Sequence, residues 1–390
     1  MKTLVLTTTY PKFTSWDATP GFVHELTKRL VQQWLKAIVL TPRRPGTKSY
    51  EEQDGVKIYR YSYFFISSRE KLADGAILPN IKKNKFLVFQ IPFLLLWCLI
   101  ALVRLCKTHH ITTIHAHRIF PSGFLAALYK KYINPKMRVI CTSHGSDLHS
   151  LSGWIIDAIK KRTVKQCDIV TVVSNYLKNN LDQLMWQKTD AKVISMWVDE
   201  TKFHPDNYDE NLKTQYWITG KFLLFVGRLA PEKWVEDLIR AMPEVVKQMP
   251  EIKLLIVWHW PLEHDLKKIT SELWLNRNIT FVWAIPNNEL PKYYATADVL
   301  IAPSKKESFG LVQVEAIMSG TPVITTAWLG STDIIQEGIN GYFVFSIKEI
   351  TLNIYTLLQE NKKQDNKTIR QSVASKFSRG SVTQFYSKLF

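Results

Sequence analysis

The sequence is poor in glycine. It contains 15 glycines in 390 residues, whereas average usage of about 7% would give roughly 27. It is rich in tryptophan, with 13 residues, and several of these stand at turns, which normally favour glycine. Seven such positions are Trp34, Trp186, Trp197, Trp234, Trp258, Trp260 and Trp283. We hypothesise that many of these residues are glycine in the native protein; one route is a gene whose UGA codons mean glycine but were translated as tryptophan.

Cysteine is also scarce, and the sequence motifs of several protein classes are missing. The four cysteines show neither Cys-x-x-Cys pairs nor the histidine spacing of a zinc site, so we expect reduced cysteines and no metal. No Gly-x-Gly-x-x-Gly follows the first predicted strand, which argues against a Rossmann dehydrogenase. The apolar run at residues 4–6 is too short for the core of a signal peptide. These features predict a cytoplasmic protein.

Acidic residues are few in the first half of the chain. Residues 1–200 hold 29 Lys and Arg against 14 Asp and Glu, whereas residues 201–390 hold 22 against 20. A basic half predicts an anionic partner, and a membrane surface, a phospholipid-linked molecule and a nucleic acid all fit the charge. Nucleic-acid binding would explain none of the motifs described below. We therefore expect an anionic membrane surface among the partners, no nucleic acid, and a peripheral position on the inner face of the membrane.

An almost entirely apolar stretch, residues 86–103, lies in this basic half. Lysines precede it, and Gln90 and Pro92 interrupt it. Its length reaches the lower limit of a membrane span, so a buried helix, an in-plane membrane helix and a span all compete as interpretations. A predicted sheet strand, Thr112–His115, follows closely and argues against a span. The pattern favours a helix that is partly buried and partly faces the membrane.

Residues 302–326 carry the most informative pattern. A strand, a polar loop, a helix from about Gly310 and a second strand follow one another, which is typical of a parallel sheet. Glu307 precedes the helix and Glu315 lies on it. The N–H groups at the helix start form an anion site, and Gly310 lets a phosphate approach closely. Carboxylates beside such a site suit a ligand that also carries hydroxyl groups, as a nucleotide sugar does.

Two cations follow another predicted strand of the second half. Arg228 and Lys233 lie between the strand Phe222–Val226 and a helix that begins near Val235. Arginine can bind a diphosphate through its bidentate fork, and lysine can bind it as a point charge. The sequence therefore predicts a diphosphate site in this loop.

Histidines mark two strand ends of the first half. His115 and His117 end one predicted strand, and His144 and Asp147 follow the next. Ligands of α/β proteins bind at the carboxyl edge of the sheet. Because the histidines lack a carboxylate partner at a known metal-binding spacing, we favour a substrate site over a metal site.

These motifs resemble those of family 4 of the glycosyltransferases. The similar elements are Glu-x7-Glu followed by Gly-Thr-Pro-Val-Ile, Glu-Gly-Ile-Asn-Gly at 337–341, Gly-Arg-Leu-x-x-Glu-Lys at 227–233, His-Ala-His at 115–117 and His-Gly-x-Asp at 144–147. The resemblance implies an α/β protein of the GT-B fold, with two Rossmann-like parallel-sheet domains facing each other across a cleft. It also implies a retaining enzyme that uses a nucleotide diphosphate sugar and needs neither a metal nor another cofactor.

The resemblance also divides the chain. It implies an acceptor-binding domain over residues 1–205, a linker over 206–220 and a nucleotide-sugar-binding domain over 221–368. A C-terminal helix over 369–390 is expected to cross back to the first domain.

Individual residues acquire roles from the same resemblance. Glu307 would bind sugar hydroxyls, Arg228 and Lys233 would stabilise the leaving diphosphate, and His144 would lie near the donor sugar and the acceptor. The other donor-binding residues would be Glu315 at the ribose hydroxyls, Phe309, Gly310, Leu311 and Gly227, with Ala284 and Ile285 near the base. The acceptor side would comprise Trp16, Gly21, His115, His117 and Asp147.

The expected function is transfer of a sugar to a saccharide or lipid-linked acceptor, in cell-envelope polysaccharide or glycolipid synthesis. The main alternative is a non-catalytic nucleotide- or sugar-binding protein of the same fold, which literal tryptophans blocking the cleft would favour. A phosphorylase or a nucleotide-sugar epimerase is a further alternative. A phosphorylase would carry a cofactor lysine, for which the sequence offers no candidate.

Overall fold

The computed structural model describes residues 2–12, 21–75, 77–149, 152–257, 262–283, 285–305, 307–327, 329–359 and 365–390. The chain divides into two compact units. The first comprises Met1–Ile194 with Thr383–Phe390, and the second comprises Ser195–Val382. The division therefore falls before position 205, the predicted end of the first domain.

One sheet organises the first unit. In its described part, eight strands follow the order β3-β4-β2-β1-β5-β6-β7-β8. Their bounds are β1 Lys2–Leu6, β2 Lys36–Pro42, β3 Tyr50–Gln53, β4 Val56–Tyr61, β5 Thr113–His117, β6 Arg138–Ser143, β7 Ile169–Val172 and β8 Lys192–Val193. All neighbouring strands are parallel except β3 and β4. Continuous apolar runs such as Leu4–Leu6 form the central strands because both faces of a parallel sheet are buried.

A hairpin joins β3 and β4, and the sequence analysis above does not predict it. Asp54 and Gly55 form its turn with φ values of 52° and 77°. Asp-Gly is the preferred sequence of a two-residue type I′ turn, because both central residues need positive φ. The Asp-Gly pair, followed by the alternating strand residues 56–61, was therefore a usable signal.

The helices of the first unit cover its sheet. They are α1 Phe22–Gln33, α2 Ile77–Lys83, α3 Ile91–His109, α4 Phe124–Tyr132, α5 Ser146–His149, α6 Trp154–Gln166 and α7 Asn175–Met185. In α1 the buried residues Val23, Leu26 and Leu30 recur at helical spacing, which buries one face of the helix.

Helix α3 is the predicted apolar helix. Together with the 3-10 turn before it, it forms a helical segment, Lys85–His109, that is long and apolar enough to cross a membrane. One face, including Leu94, Cys98 and Leu102, packs into the core of the first unit. The opposite face exposes Leu96, Trp97 and Ile100. The helix is thus partly buried, as expected.

The second unit contains a smaller parallel sheet. In its described part, six strands follow the order β11-β10-β9-β12-β13-β14. Their bounds are β9 Phe222–Val226, β10 Lys253–Val257, β11 Ile279–Val282, β12 Val299–Ala302, β13 Val323–Thr326 and β14 Gly341–Val344. The helices are α8 Glu210–Gln215, α9 Val235–Gln248, α10 Glu263–Glu272, α11 Leu290–Thr296, α12 Leu311–Met318, α13 Ile347–Gln359 and α14 Asn366–Phe377. Two parallel-sheet α/β units of this kind confirm the predicted fold class.

The structure of residues 206–220 and of the C-terminal tail differs in detail from the predicted linker and single helix. Residues 206–220 lie within the second unit and include α8, because Leu212 and Ile218 bury their apolar side chains there. The tail forms two helices, α14 and α15 (Arg379–Ser387). The last residues, Thr383–Phe390, belong to the first unit.

Four tryptophans adopt the left-handed backbone conformation: Trp186, Trp217, Trp234 and Trp274, with φ between 50° and 60°. Trp186, Trp217 and Trp274 lie within two residues of the ends of α7, α8 and α10, and in each case the next N–H closes the turn by donating to a carbonyl five residues back, as from Gln187 to Asp182. Glycine is the usual residue there because it has no Cβ to clash. Trp186 and Trp234 therefore agree with the glycine hypothesis.

The other predicted tryptophans do not share this conformation. Trp34 has an extended φ of 179°, and Trp197 and Trp283 are not among the described residues with positive φ. Trp258 and Trp260 lie outside the described residues. The sequence interpretation missed Trp217 and Trp274.

Candidate active site

A lysine and a glutamate meet at the carboxyl edge of the second sheet. Strands β9 and β12 are parallel neighbours, so the loops that follow them begin side by side. Lys233 Nζ lies 2.7 Å from Glu307 Oε2 and 3.3 Å from Ser304 Oγ. Both charged side chains are about one-fifth exposed, at 17% and 20%. The structure therefore brings together two predicted residues that are 74 positions apart in the chain.

Arg228 lies in the same loop but points toward solvent. Its side chain is 65% exposed, and its Nη2 is 3.0 Å from Glu232 Oε1. An exposed ion pair of this kind contributes about 0–1 kcal/mol, so a phosphate can displace the glutamate at little cost. Gly227, before it, leaves room for the Phe225 ring, which a Cβ would approach to 3.3 Å.

The start of α12 is shaped by Gly310. Its φ is +104°, and a Cβ there would lie 2.8 Å from Gln313 Oε1. The first N–H groups of a helix, here those of Leu311 and Val312, have no partner within the helix, whereas the Gln313 N–H already donates to the Gly310 carbonyl at 3.0 Å. The ring of Phe309 is buried and packs against Phe377 with ring centroids 5.5 Å apart. Phe309 can therefore contact a ligand only through its backbone.

Glu315 is half-buried on α12. Its carboxylate accepts a hydrogen bond of 2.9 Å from the Tyr294 hydroxyl. Burial raises the pKa of Glu315 to about 7, and the Tyr294 hydrogen bond and Lys202 oppose this rise. Of the residues predicted at the base, Ile285 is buried and Ala284 lies outside the described residues.

Histidines line the carboxyl edge of the first sheet. His117 Nδ1 and His144 Nε2 are 2.9 Å apart, and the two rings are stacked. Burial, followed by Arg118 and His115, lowers the pKa of His144 to about 3. Burial, followed by electrostatic interactions with His115, His144 and Arg118, also holds the pKa of His117 well below its ordinary value. At neutral pH the pair is uncharged, so one ring donates the hydrogen bond through its N–H group and the other accepts it through its bare nitrogen.

His115 lies deeper than its predicted role requires. Its Nε2 is 2.8 Å from the Thr142 hydroxyl, and its ring packs against Tyr386 and Phe390 of the C-terminal segment. Burial lowers the pKa of His115 to about 3. The His115 side chain therefore packs in the interior of the first unit, away from the acceptor position that the resemblance implies.

Asp147 has a structural role in the first unit. Its Oδ2 accepts a 2.6 Å hydrogen bond from the Ile119 N–H, and its Oδ1 accepts one of 2.9 Å from the Ser143 hydroxyl. The side chain is 1% exposed. It therefore joins the loops after β5 and β6.

The remaining acceptor-side residues lie around α1. Gly21 precedes α1, and a Cβ built there would have no neighbour within 4 Å in the described part of the chain. The next residue, Phe22, meets the His144 ring edge-on with centroids 5.6 Å apart. Trp16 lies outside the described residues.

One group in the described part of the chain has the ligand types of a metal site: His24, Glu25 and Asp54. Asp54 already contacts His24 Nε2 at 3.0 Å and Lys28 Nζ at 3.2 Å. The lysine competes directly with a cation for the carboxylate. A reaction without metal remains a prediction.

Sequence reasoning missed four residues at these edges: Arg118, Lys202, Tyr294 and Ser304. Arg118 directly follows the His-Ala-His motif, so its position was a usable signal. Tyr294 contacts Glu315 and Ser304 contacts Lys233, whereas Lys202 acts on Glu315 electrostatically. Such long-range interactions leave no local pattern.

Comparison with known proteins agrees with this geometry. A model of "Glycosyltransferase Family 4" matches residues 22–202, and a model of "Glycosyl transferases group 1" matches residues 211–372. The chain is 26% identical to N-acetyl-alpha-D-glucosaminyl L-malate synthase of Bacillus anthracis, over 84% of this chain and 88% of that one. It is also 26% identical to a GDP-mannose-dependent alpha-(1-6)-phosphatidylinositol monomannoside mannosyltransferase of Mycolicibacterium smegmatis, over 67% and 70% of the two chains.

Solved structures share the fold. Sucrose-phosphate synthase from Thermosynechococcus elongatus superposes with a TM-score of 0.79 at 20% identity and covers 100% of this chain and 98% of its own. Anabaena HepE in complex with UDP gives 0.77 at 18% identity, with 100% and 99% covered. With both units matched by glycosyltransferase models, the chain belongs to family 4 of the glycosyltransferases and has the GT-B fold.

Proposed function

We propose that this glycosyltransferase moves a sugar, with retention at the anomeric carbon, from a nucleotide diphosphate sugar to a saccharide or lipid-linked acceptor in cell-envelope synthesis. The observation that carries the proposal is the Lys233–Glu307 pair beside the start of α12. A cation, a carboxylate and free helix N–H groups at one sheet edge match the phosphates and hydroxyls of such a donor.

The difficult step is departure of the diphosphate from the anomeric carbon. Lys233, Arg228 and the N–H groups at the α12 start would stabilise the negative charge that develops on the leaving group. Preorganised charges of this kind contribute several kcal/mol to catalysis. Glu307 would bind sugar hydroxyls and hold the lysine in place, and Glu315 would accept hydrogen bonds from the ribose.

The acceptor proton can leave without a side-chain base. In same-face displacement, the leaving phosphate oxygen takes the proton of the acceptor hydroxyl as the new glycosidic bond forms and the old one breaks. His144 is neutral at pH 7, so it can orient the acceptor hydroxyl by hydrogen bonding. No cofactor is required for this route.

The acceptor class follows from the relatives' names and from a surface of the first unit. The two named relatives act, by their names, on L-malate and on a phosphatidylinositol monomannoside. Phe65, Phe86 and Phe89 are exposed near α3, at 77%, 79% and 69%, and the exposed Lys82, Lys83 and Lys85 precede that helix. Exposed aromatics beside lysines favour an anionic membrane surface, which would place the enzyme on the cytoplasmic face.

Donor hydrolysis in the absence of acceptor tests the central proposal. UDP-, GDP- and ADP-linked α-sugars would be incubated with the enzyme, and the released sugar would be followed by proton NMR before it mutarotates. We expect one nucleotide series to react and to release the α-anomer first. Release of the β-anomer first would exclude retention, and no reaction with any donor would contradict the donor class.

Flotation with vesicles tests the membrane position. We expect the protein to float with anionic vesicles at low salt and the double variant Phe86→Ser/Phe89→Ser to stay at the bottom. Phe385→Ser, an exposed position on α15, is the matched control and should float. If the wild-type protein stays in the soluble fraction, the membrane assignment is wrong.

A further inference from the structure

Arg118 directly follows β5 in a backbone conformation that suits glycine. Its φ and ψ are 81° and 136°, a region that side chains larger than glycine rarely adopt. The loop fixes this conformation, because the Arg118 N–H donates to the Thr142 carbonyl at 2.7 Å and the Arg118 carbonyl accepts from Gly123 at 2.9 Å. Strain of this kind is typical of functional sites. An arginine here indicates that its side chain has a use.

The guanidinium of Arg118 is short of a counter-charge. It is half-buried, and among the described residues it has neither a hydrogen-bond nor an ion-pair partner. Asp147 attracts it, but both oxygens of Asp147 are occupied by Ile119 and Ser143. A partly desolvated cation without a partner is costly, and an anionic ligand would remove that cost.

The surroundings of Arg118 are suited to a substrate that carries a hydroxyl group as well as an anion. Arg118 directly follows His117, and His117 contacts His144 at 2.9 Å, so all three residues lie at one strand end. The charge of Arg118 contributes to the lowered pKa of both histidines. His144 is half-buried and neutral, so it remains available for hydrogen bonding to an alcohol. A cationic guanidinium and two neutral imidazole rings thus lie together at the end of β5.

We propose that Arg118 binds an anionic group of the acceptor substrate, a carboxylate or a phosphate, and so positions the acceptor hydroxyl beside His144. This inference rests on the proposed glycosyl transfer and specifies its acceptor as an anionic molecule. Arginine suits the task because its planar fork binds carboxylate and phosphate oxygens through two parallel hydrogen bonds. A donor diphosphate has the same chemistry, so the test must separate the two sources.

The test measures anion and nucleotide binding to the full chain separately. Inorganic phosphate, L-malate, UDP, GDP and ADP would each be titrated by calorimetry at constant ionic strength, because salt screens exposed charges. The variants are Arg118→Gln, Arg118→Lys and the control Arg162→Gln, an exposed arginine on α6.

We expect Arg118→Gln to weaken phosphate and L-malate binding at least tenfold, Arg118→Lys to weaken it less, and Arg162→Gln to leave it unchanged. The nucleotide that binds the wild-type chain should bind Arg118→Gln equally well. Unchanged anion binding by Arg118→Gln, or no anion binding by the wild-type chain, would overturn the proposal. An equal loss of nucleotide affinity would assign Arg118 to the donor and overturn the acceptor assignment. Failure of every nucleotide to bind would instead count against the proposed donor.

A glycine variant separates function from folding. Arg118→Gly should raise the melting temperature, because it relieves the backbone strain, and should still lose anion binding. If Arg118→Gly lowers the melting temperature and keeps anion affinity, the arginine is structural and the proposal is wrong.

Discussion

The loops at the carboxyl edges of the two sheets differ in electrostatic character: neutral side chains predominate at the first and charged side chains at the second. The carboxyl edge of the first sheet holds stacked, neutral histidines and one half-buried cation, Arg118. The carboxyl edge of the second holds an ion pair, an exposed arginine and a carboxyl group with a raised pKa. The same α/β architecture thus supports two chemistries. Neutral hydrogen-bonding groups suit an alcohol that must be oriented, whereas charged groups suit a diphosphate that must depart.

The neutral histidines should make the first unit sensitive to acid. Their folded pKa values lie below the unfolded value, so the unfolded chain binds more protons at low pH and stability falls as the pH drops below about 6.5. Three such groups would cost about 4 kcal/mol between pH 7.5 and 5.5. Urea unfolding at the two pH values measures this loss.

His144→Gln sharpens that prediction. Removing one of the three groups should reduce the pH-dependent loss by about one-third. A loss that is the same in the variant and the wild-type chain would show that other groups cause the acid sensitivity.

Removing the lysine should affect turnover without unfolding the second unit. We expect Lys233→Ala to lower turnover about 100-fold, because it removes a preorganised charge from the leaving group, and Glu307→Ala to lower it at least tenfold. Arg240→Ala is the matched control, because this exposed arginine on α9 pairs, among the described residues, only with the neighbouring Glu236. Near-normal turnover in Lys233→Ala would remove the lysine from the mechanism.

Glu315 should make nucleotide binding depend on pH. With a pKa of about 7, only about one-tenth of the carboxyl groups are ionised at pH 6. If the ionised form binds the ribose hydroxyls, affinity should rise about tenfold between pH 6 and 8. Calorimetry over this range measures the rise, and Glu315→Gln should abolish it. Equal pH dependence in both proteins would place the titrating group elsewhere, for example on the phosphate.

Tryptophans in the left-handed conformation occur in both units, and replacing them by glycine should have the smallest effect of the changes proposed. Replacing Trp186, Trp217, Trp234 or Trp274 by glycine should raise the free energy of unfolding by about 1 kcal/mol each, because a Cβ is strained in this conformation. Trp154→Gly is the control. Trp154 is as exposed as Trp186, Trp217 and Trp274 but begins α6 in a helical conformation, so glycine there should lower stability. Thermal unfolding of the five variants gives the comparison.

Sequence reasoning was most accurate where local pattern decides the structure. Strand β9 has the predicted bounds, Phe222–Val226, because a continuous apolar run with polar ends identifies a buried strand. Only the resemblance assigned Lys233 and Glu307 to the same donor site, and it did not predict the contact between them, since no local rule joins residues from two loops. The strain at Arg118 and the interior position of His115 depend on the packing of several elements, which periodicity does not reveal.

Titration with UDP, GDP and ADP most directly tests the claim that the charged edge of the second sheet binds the donor diphosphate. The account predicts that one nucleotide binds the wild-type chain and that Lys233→Ala weakens it at least tenfold, while Arg240→Ala does not. Equal binding by wild type and Lys233→Ala, or no binding of any nucleotide, would contradict it.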